Sequence, residues 1–203
     1  MKFRGHMVSL PQDRDDDGPN DHQSPAILER ENIRLKARIA ELERLVAHDT
    51  LTPLFNRRHF MDVLDRWCWR AHRYGGEYGL LFIDVDNMKS VNDNHGHPAG
   101  DALLVEIAKA LTAAIRRSDV AARIGGDEFA ILLDNIGAQH LPAKVERIVA
   151  SVAKLTVEHG GMKIRPAISA GHTAIEPGIP ATELLLRADR AMYAAKQAKA
   201  GGK

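Results

Sequence analysis

Gly125-Gly126 separate two short apolar runs, DVAARI before and DEFAILLDN after, and this restricts the fold more than any other stretch. Two strand-forming runs joined by a glycine pair predict a β-hairpin. The rest of the chain alternates helix and strand patterns, and a hairpin within such a series breaks an all-parallel scheme. In order, those patterns are a helix over RRHFMDVLDRWCWRAHRYG and a strand over YGLLFIDVD, whose unbroken apolar core suits the middle of a sheet. A short helix follows through NMKSVNDNHG. PAGDALLVEIAKALTAAIRR opens with Pro98 and puts Leu104, Ile107, Ala108, Leu111 and Ile115 on one face of a longer helix. After the hairpin come a helix around AKVERIVASVAKL, a strand KIRPAISAGHTAI and a closing helix TELLLRADRAMYAAKQAK. The set predicts an α+β sandwich, with helices covering one mostly antiparallel sheet.

The 203 residues allow one domain of ~150 residues plus an appendage. A formal net charge of +1 gives no global field that would favour nucleic acid or an anionic membrane surface. Cys68 is the single cysteine, which excludes an internal disulfide and suits a reducing, cytoplasmic setting. It lies on a helical pattern and reads as a buried structural thiol. No run approaches the ~20 apolar residues of a membrane span and no signal-peptide core is present, so no membrane segment is expected in this chain.

Residues 1–25 are polar and rich in Asp, Pro and Gly, and they predict a disordered tail in which DRDDD is a solvated acidic run. From 26 to 47 the pattern changes. Leu28, Asn32, Leu35, Ile39, Leu42 and Val46 are spaced 4, 3, 4, 3, 4, the alternation of a heptad seam. Leucine then falls at d, with Ile39, Val46 and one Asn at a, a combination that favours a parallel two-stranded coiled coil. Glu31 would face Lys36 of the partner helix, and Arg38 would face Glu43, both opposite in sign. An amphipathic helix packed on its own domain is the alternative. Residues 48–203 form the predicted globular domain.

Asp84 and Asp86 end the first long strand, and Asp127 and Glu128 begin the second strand of the hairpin. If those strands are neighbours, several carboxylates converge at one sheet edge and raise one another's pKa. A hard divalent cation relieves that repulsion, and an oxygen-only set suits Mg²⁺ or Mn²⁺ acting on phosphates.

RIGGDEFAIL resembles the signature hairpin of the GGDEF family, the diguanylate cyclases. HDTLTPLFNRRHF is similar to that family's opening motif, DVDNMKSVNDNHGHPAGDALL to its D-x-D-x-F-K-x-x-N-D-x-x-G-H-x-x-G-D block, and ADRAMYAAK to its closing helix. The likeness runs from about His48 to Lys199, with four motifs in the family's order. It implies a fold like the palm of nucleotide cyclases and polymerases, a ferredoxin-like sandwich with a five-stranded sheet. It further implies that GTP is the substrate and cyclic di-GMP the product.

Carried over residue by residue, the resemblance gives Asp84, Asp127, Glu128 and the carbonyl of Val85 to the metal. Asp127 is also the base for the 3′-hydroxyl, and Lys89 would stabilise charge growing on the phosphates. Asn92 and Asp101 would recognise guanine, since a carboxylate accepts from both N1–H and the exocyclic amine, a donor pair adenine lacks. His97 would touch the nucleotide nearby and Lys196 would reach the β/γ-phosphates. Gly125 and Gly126 would let the hairpin backbone approach the nucleotide. Each residue also has a plainer reading: Asn92 and Asp93 as a helix cap, Asp101 as a first-turn acid, His97 as a turn histidine. Arg57 and Arg58 read as structural salt-bridge partners.

A product with two equivalent bonds implies a homodimer of facing domains, held near each other by the coiled coil. Arg116 and Asp119 form RxxD five residues before Gly125, where the family has its inhibitory product site. Three positions depart from the family pattern: Pro53 replaces a glycine, Met88 replaces a common phenylalanine, and the closing helix lacks Gly-Arg-Asn. The alternative reading is therefore a weak or inactive domain that serves as a cyclic di-GMP or GTP receptor, or as a scaffold.

Overall fold

The computed structural model describes residues 25–201. The predicted tail lies outside them, apart from its last residue, Pro25, which opens a helix. That helix, α1 (Pro25–Ala47), covers the heptad segment, and Leu28, Leu35, Ile39, Leu42 and Val46 are all exposed along it. The chain divides into two compact units, with the boundary between Ala40 and Glu41, inside α1. Among the described residues, no helix is long and apolar enough to cross a membrane.

The second unit is built on a five-stranded sheet. β1 (Phe55–Asn56) leads into α2 (Arg57–Tyr74), and β2 (Tyr78–Val85) into α3 (Met88–His95) and α4 (His97–Ala114). β3 (Val120–Arg123) and β4 (Glu128–Asp134) form the predicted hairpin, followed by α5 (Leu141–Ala153). β5 (Val157–His159) and β6 (Met162–Ile164) make a separate small hairpin, and β7 (Ile168–Ala174) and α6 (Ala181–Gly201) complete the unit. The sheet order is β1-β3-β4-β2-β7, antiparallel throughout except for β1 against β3.

Alternation along β2 explains its unbroken apolar run. Leu81, Ile83 and Val85 join a core with Leu103, Ile107 and Leu111 of α4 and Ile148 and Val152 of α5. Leu80 and Phe82 face the opposite core, with Phe60 and Leu64 of α2 and Leu184, Ala188 and Met192 of α6. Helices thus cover both faces, and the central strand is apolar on both. Gly171 on β7 sets the depth of α6: a methyl group there would overlap the backbone of Ala188, Ala191 and Met192. That close seat carries the end of α6 along β2 and β7 towards the strand ends where the carboxylates lie.

One predicted strand is corrected. KIRPAISAGHTAI is two strands in two sheets, β6 and β7, divided at Arg165-Pro166-Ala167. A proline cannot donate to a sheet ladder, so the break falls where the chemistry requires it.

Candidate active site

The strand alternation that builds the core also sorts the carboxylates. Asp84 follows Leu80 and Phe82 onto the α6 side of the sheet, directly opposite Glu128 of β4. Lys196, on α6, reaches this corner, and its Nζ donates to Asp84 Oδ1 at 2.5 Å. Asp127 lies one residue outside β4, where its carbonyl accepts from the Val85 amide at 3.0 Å. Asp86 is held separately: its backbone amide donates to Ala167, and its carboxylate accepts from the buried Ser169 hydroxyl at 2.7 Å. Lys199 donates to the Ile168 carbonyl at 2.5 Å and reaches Asp86 at 3.4 Å.

Charge in this corner is undercompensated. Burial pushes the Asp84 carboxyl above its ordinary range, and Asp127 and Asp86 push it further, against the opposing hydrogen bond from Lys196. Burial likewise raises Glu128, followed by repulsion from Asp127, Asp84 and Asp189, with Arg57 offsetting part of it. The Asp84 hydrogen bond raises Lys196, so this ammonium holds its proton firmly. Among the described residues, no three His, Cys, Asp or Glu side chains converge closely enough to grip an ion as they stand. The donor set nevertheless fits a hard cation: all oxygen, anionic, partly desolvated, and short of positive charge.

Lys89, Asn92, His97, Asp101, Gly126 and Asp127 line one cleft of about 440 Å³. The α3–α4 turn positions the first four. Asn87 starts α3 in the left-handed region at φ 59°, a conformation Asn tolerates, and Gly96 joins the two helices at φ 81°. Gly100 then lets α3 and α4 close on each other: a methyl group there would overlap Asn92 Oδ1 and Met88 Cε. The space beside Asn92 is therefore set by an unassigned glycine in HPAGD. Asp127 lines this cleft and is electrostatically coupled to both Asp84 and Glu128. The predicted residues thus form two adjoining groups linked by Asp127.

The hairpin is locked from its first strand. Arg123 donates Nη2 and Nε to the Gly126 carbonyl at 2.7 and 3.1 Å, and Nη1 to Asp49 at 3.2 Å. Asp49 also accepts from the Thr52 hydroxyl and amide, both at 2.8 Å. Burial alone would raise this acid, yet the Thr52 and Arg123 hydrogen bonds outweigh it and hold Asp49 below the usual carboxylate range. Arg57 donates to the Ile124 carbonyl at 3.1 Å, a backbone bond in place of the expected salt bridge. Neither Gly125 nor Gly126 has a positive φ. Gly125 leaves room for the Glu128 carboxylate, which a methyl group there would overlap, while the space around Gly126 is open.

Comparison with known proteins bears on what this arrangement is. The family model for the diguanylate cyclase GGDEF domain matches residues 46–201. The chain belongs to the GGDEF family. Diguanylate cyclase A of Treponema denticola is 34% identical over 175 residues, 82% of this chain and 47% of that protein. Diguanylate cyclase TpbB of Pseudomonas aeruginosa is 37% identical over 180 residues, 87% of this chain and 41% of that protein. The chain therefore spans less than half of either curated relative. The solved structure of the coiled coil and GGDEF domain of DgcB from Caulobacter crescentus, in complex with c-di-GMP, matches with a TM-score of 0.79 at 30% identity. It covers 85% of this chain and 92% of that one.

In this GGDEF domain, Arg116 and Asp119 lie on the loop between α4 and β3. Asp119 accepts from the Arg116 amide at 2.8 Å and from the Asp134 amide at 3.0 Å, so both carboxylate oxygens brace the loop.

Proposed function

We propose that the chain condenses two GTP molecules into cyclic di-GMP with release of two pyrophosphates. The observation that carries this reading is the adjoining pair of groups: a cleft lined by Lys89, Asn92, Asp101 and Asp127, next to the charge-starved Asp84 and Glu128. Asp84, Asp127, Glu128 and the Val85 carbonyl are the candidate ligands for Mg²⁺ or Mn²⁺, which when bound supplies Lewis-acid charge to the triphosphate. Asp127 accepts the proton of the attacking 3′-hydroxyl. Lys89 stabilises the negative charge that builds on the phosphoryl oxygens. Asn92 and Asp101 orient guanine by hydrogen bonds that adenine cannot return, with His97 at the rim of the same cleft. Lys196, which donates to Asp84 in this structure, would turn to the outer phosphates if Asp84 served as a metal ligand. The open side of Gly126 admits the nucleotide close to the backbone.

One domain supplies one cleft, so a symmetric product requires two chains facing each other, and the exposed heptad seam of α1 supports a parallel dimer. Product inhibition through Arg116 and Asp119 completes the reading. Incubation with GTP and Mg²⁺ tests the chemistry: pyrophosphate and a cyclic dinucleotide should appear in a ratio of about two to one. GTP bound but recovered intact would leave a receptor. Removing residues 1–47 should lower turnover at least about tenfold at low protein concentration, with recovery as concentration rises. Equal activity of the shortened chain would remove the tether from the mechanism.

A further inference from the structure

We propose that the end of α3 and the tip of the β5–β6 hairpin form a site for a soft monovalent cation of the copper(I) class, with His95, Met162 and His159 as ligands. His95 Nδ1 and Met162 Sδ lie 3.2 Å apart. With bonds of about 2.0 Å to imidazole nitrogen and about 2.3 Å to sulfur, that separation subtends roughly 95° at one ion. Both donors therefore fit a single coordination sphere without moving apart. One neutral tautomer of His95 presents its Nδ1 lone pair to the sulfur side, the form a metal requires.

The third donor is placed by the turn. Gly160 and Gly161 have φ values of 56° and 78°, the two positive angles of a type I′ hairpin. That turn fixes His159 directly opposite Met162. Opposed residues share a face of the ribbon with Cβ atoms ~5 Å apart, so His159 stands on the same side as the Met162 thioether. Glu158 and Lys163 occupy the other face, where they pair at 3.4 Å. The donor face is thus one thioether and two imidazoles with no hairpin carboxylate, a set that selects copper(I) over magnesium or calcium. Met162 is an exposed methionine at a surface tip, where core packing gives it no reason to be. The site lies outside the nucleotide cleft, but His95 immediately precedes the Gly96 turn that leads to His97. None of this depends on the chain being a cyclase.

Silver(I) is a redox-silent probe of the same ligand preference. Titration is best done on the full chain carrying Cys68→Ser, which removes a competing thiol, with [methyl-¹³C]methionine and imidazole signals followed by NMR. The Met162 methyl and the His95 and His159 ring signals should shift together and saturate near one equivalent. Met162→Leu, a volume-conserving change at an exposed position, should weaken binding at least about tenfold, so that the shifts of both rings no longer saturate near one equivalent. Lys163→Ala, on the other face of the same strand, should leave binding unchanged. An unmoved Met162 signal would overturn the site. So would equal affinity in Met162→Leu, or equal weakening by Lys163→Ala, which would trace the effect to hairpin folding.

Discussion

Asp49 and Asp84 both address the Gly125-Gly126 hairpin, Asp49 through Arg123 on β3 and Asp84 from across Glu128 on β4. Asp49 is satisfied: Thr52 and Arg123 more than offset its burial, and its carboxyl sits below the ordinary range. Asp84 is not: even with Lys196 in contact, burial and neighbouring acids leave it raised. Two acids that reach one hairpin from different parts of the chain are thus held in opposite electrostatic states. The difference separates a carboxylate whose charge the fold compensates from one whose charge it leaves undercompensated, the state the proposed metal role of Asp84 calls for.

Five substitutions at four residues sharpen or break that contrast. Asp84→Asn should reduce pyrophosphate release from GTP at least about 10³-fold, with the melting temperature unchanged or raised, because it removes an acid the apo protein does not fully compensate. A large loss of stability would place Asp84 with the structural acids. Asp49→Ala should do the reverse, costing about 1–3 kcal/mol by denaturant titration because it strips Arg123 and Thr52 of their shared acceptor. Its pH dependence has a definite sign. The folded pKa lies below the unfolded one, so Asp49 stabilises fully above the ordinary carboxylate range and ceases to as pH falls through its folded value. Asp49→Asn should therefore flatten the acid limb of the melting curve, and an unchanged limb would contradict the contrast. Glu128→Gln should raise stability slightly, by roughly 0.5 kcal/mol, through relief of repulsion from Asp127 and Asp84. The smallest structural effect belongs to Arg116→Ala, which should relieve product inhibition without lowering the melting temperature. Asp119 is unsuited to that test, since its two oxygens brace the backbone at Arg116 and Asp134.

The sequence made the fold legible where its signals are local. The glycine pair flanked by apolar runs, the apolar face of α4 and the continuous core of β2 each lie within a window of about 20 residues, and each became the expected element. Features that depend on contacts between distant residues were not legible. β1 is two residues long and pairs in parallel with β3, which no periodicity reveals. Arg123 meets Asp49 across 74 residues of chain. β6 was merged into a longer apparent strand and β5 fell in a stretch given no element, because each is only three residues long, although Gly160-Gly161 marked their turn and Pro166 the end of β6. The candidate site residues were named from the family resemblance, whereas the placing of Asp84 opposite Glu128 on the α6 side of the sheet follows from strand register.

The Asn56 carboxamide donates to the Val46 carbonyl at 2.6 Å and to that of His48 at 3.1 Å, while its backbone pairs with Arg123 in the sheet. Arg123 in turn grips the Gly126 carbonyl. A torque on the chain at Val46 therefore needs only two intervening residues to reach Gly126, at the lip of the cleft lined by Lys89 and Asp101. A shaft geared this directly to its load has little slack in which a small rotation can be lost.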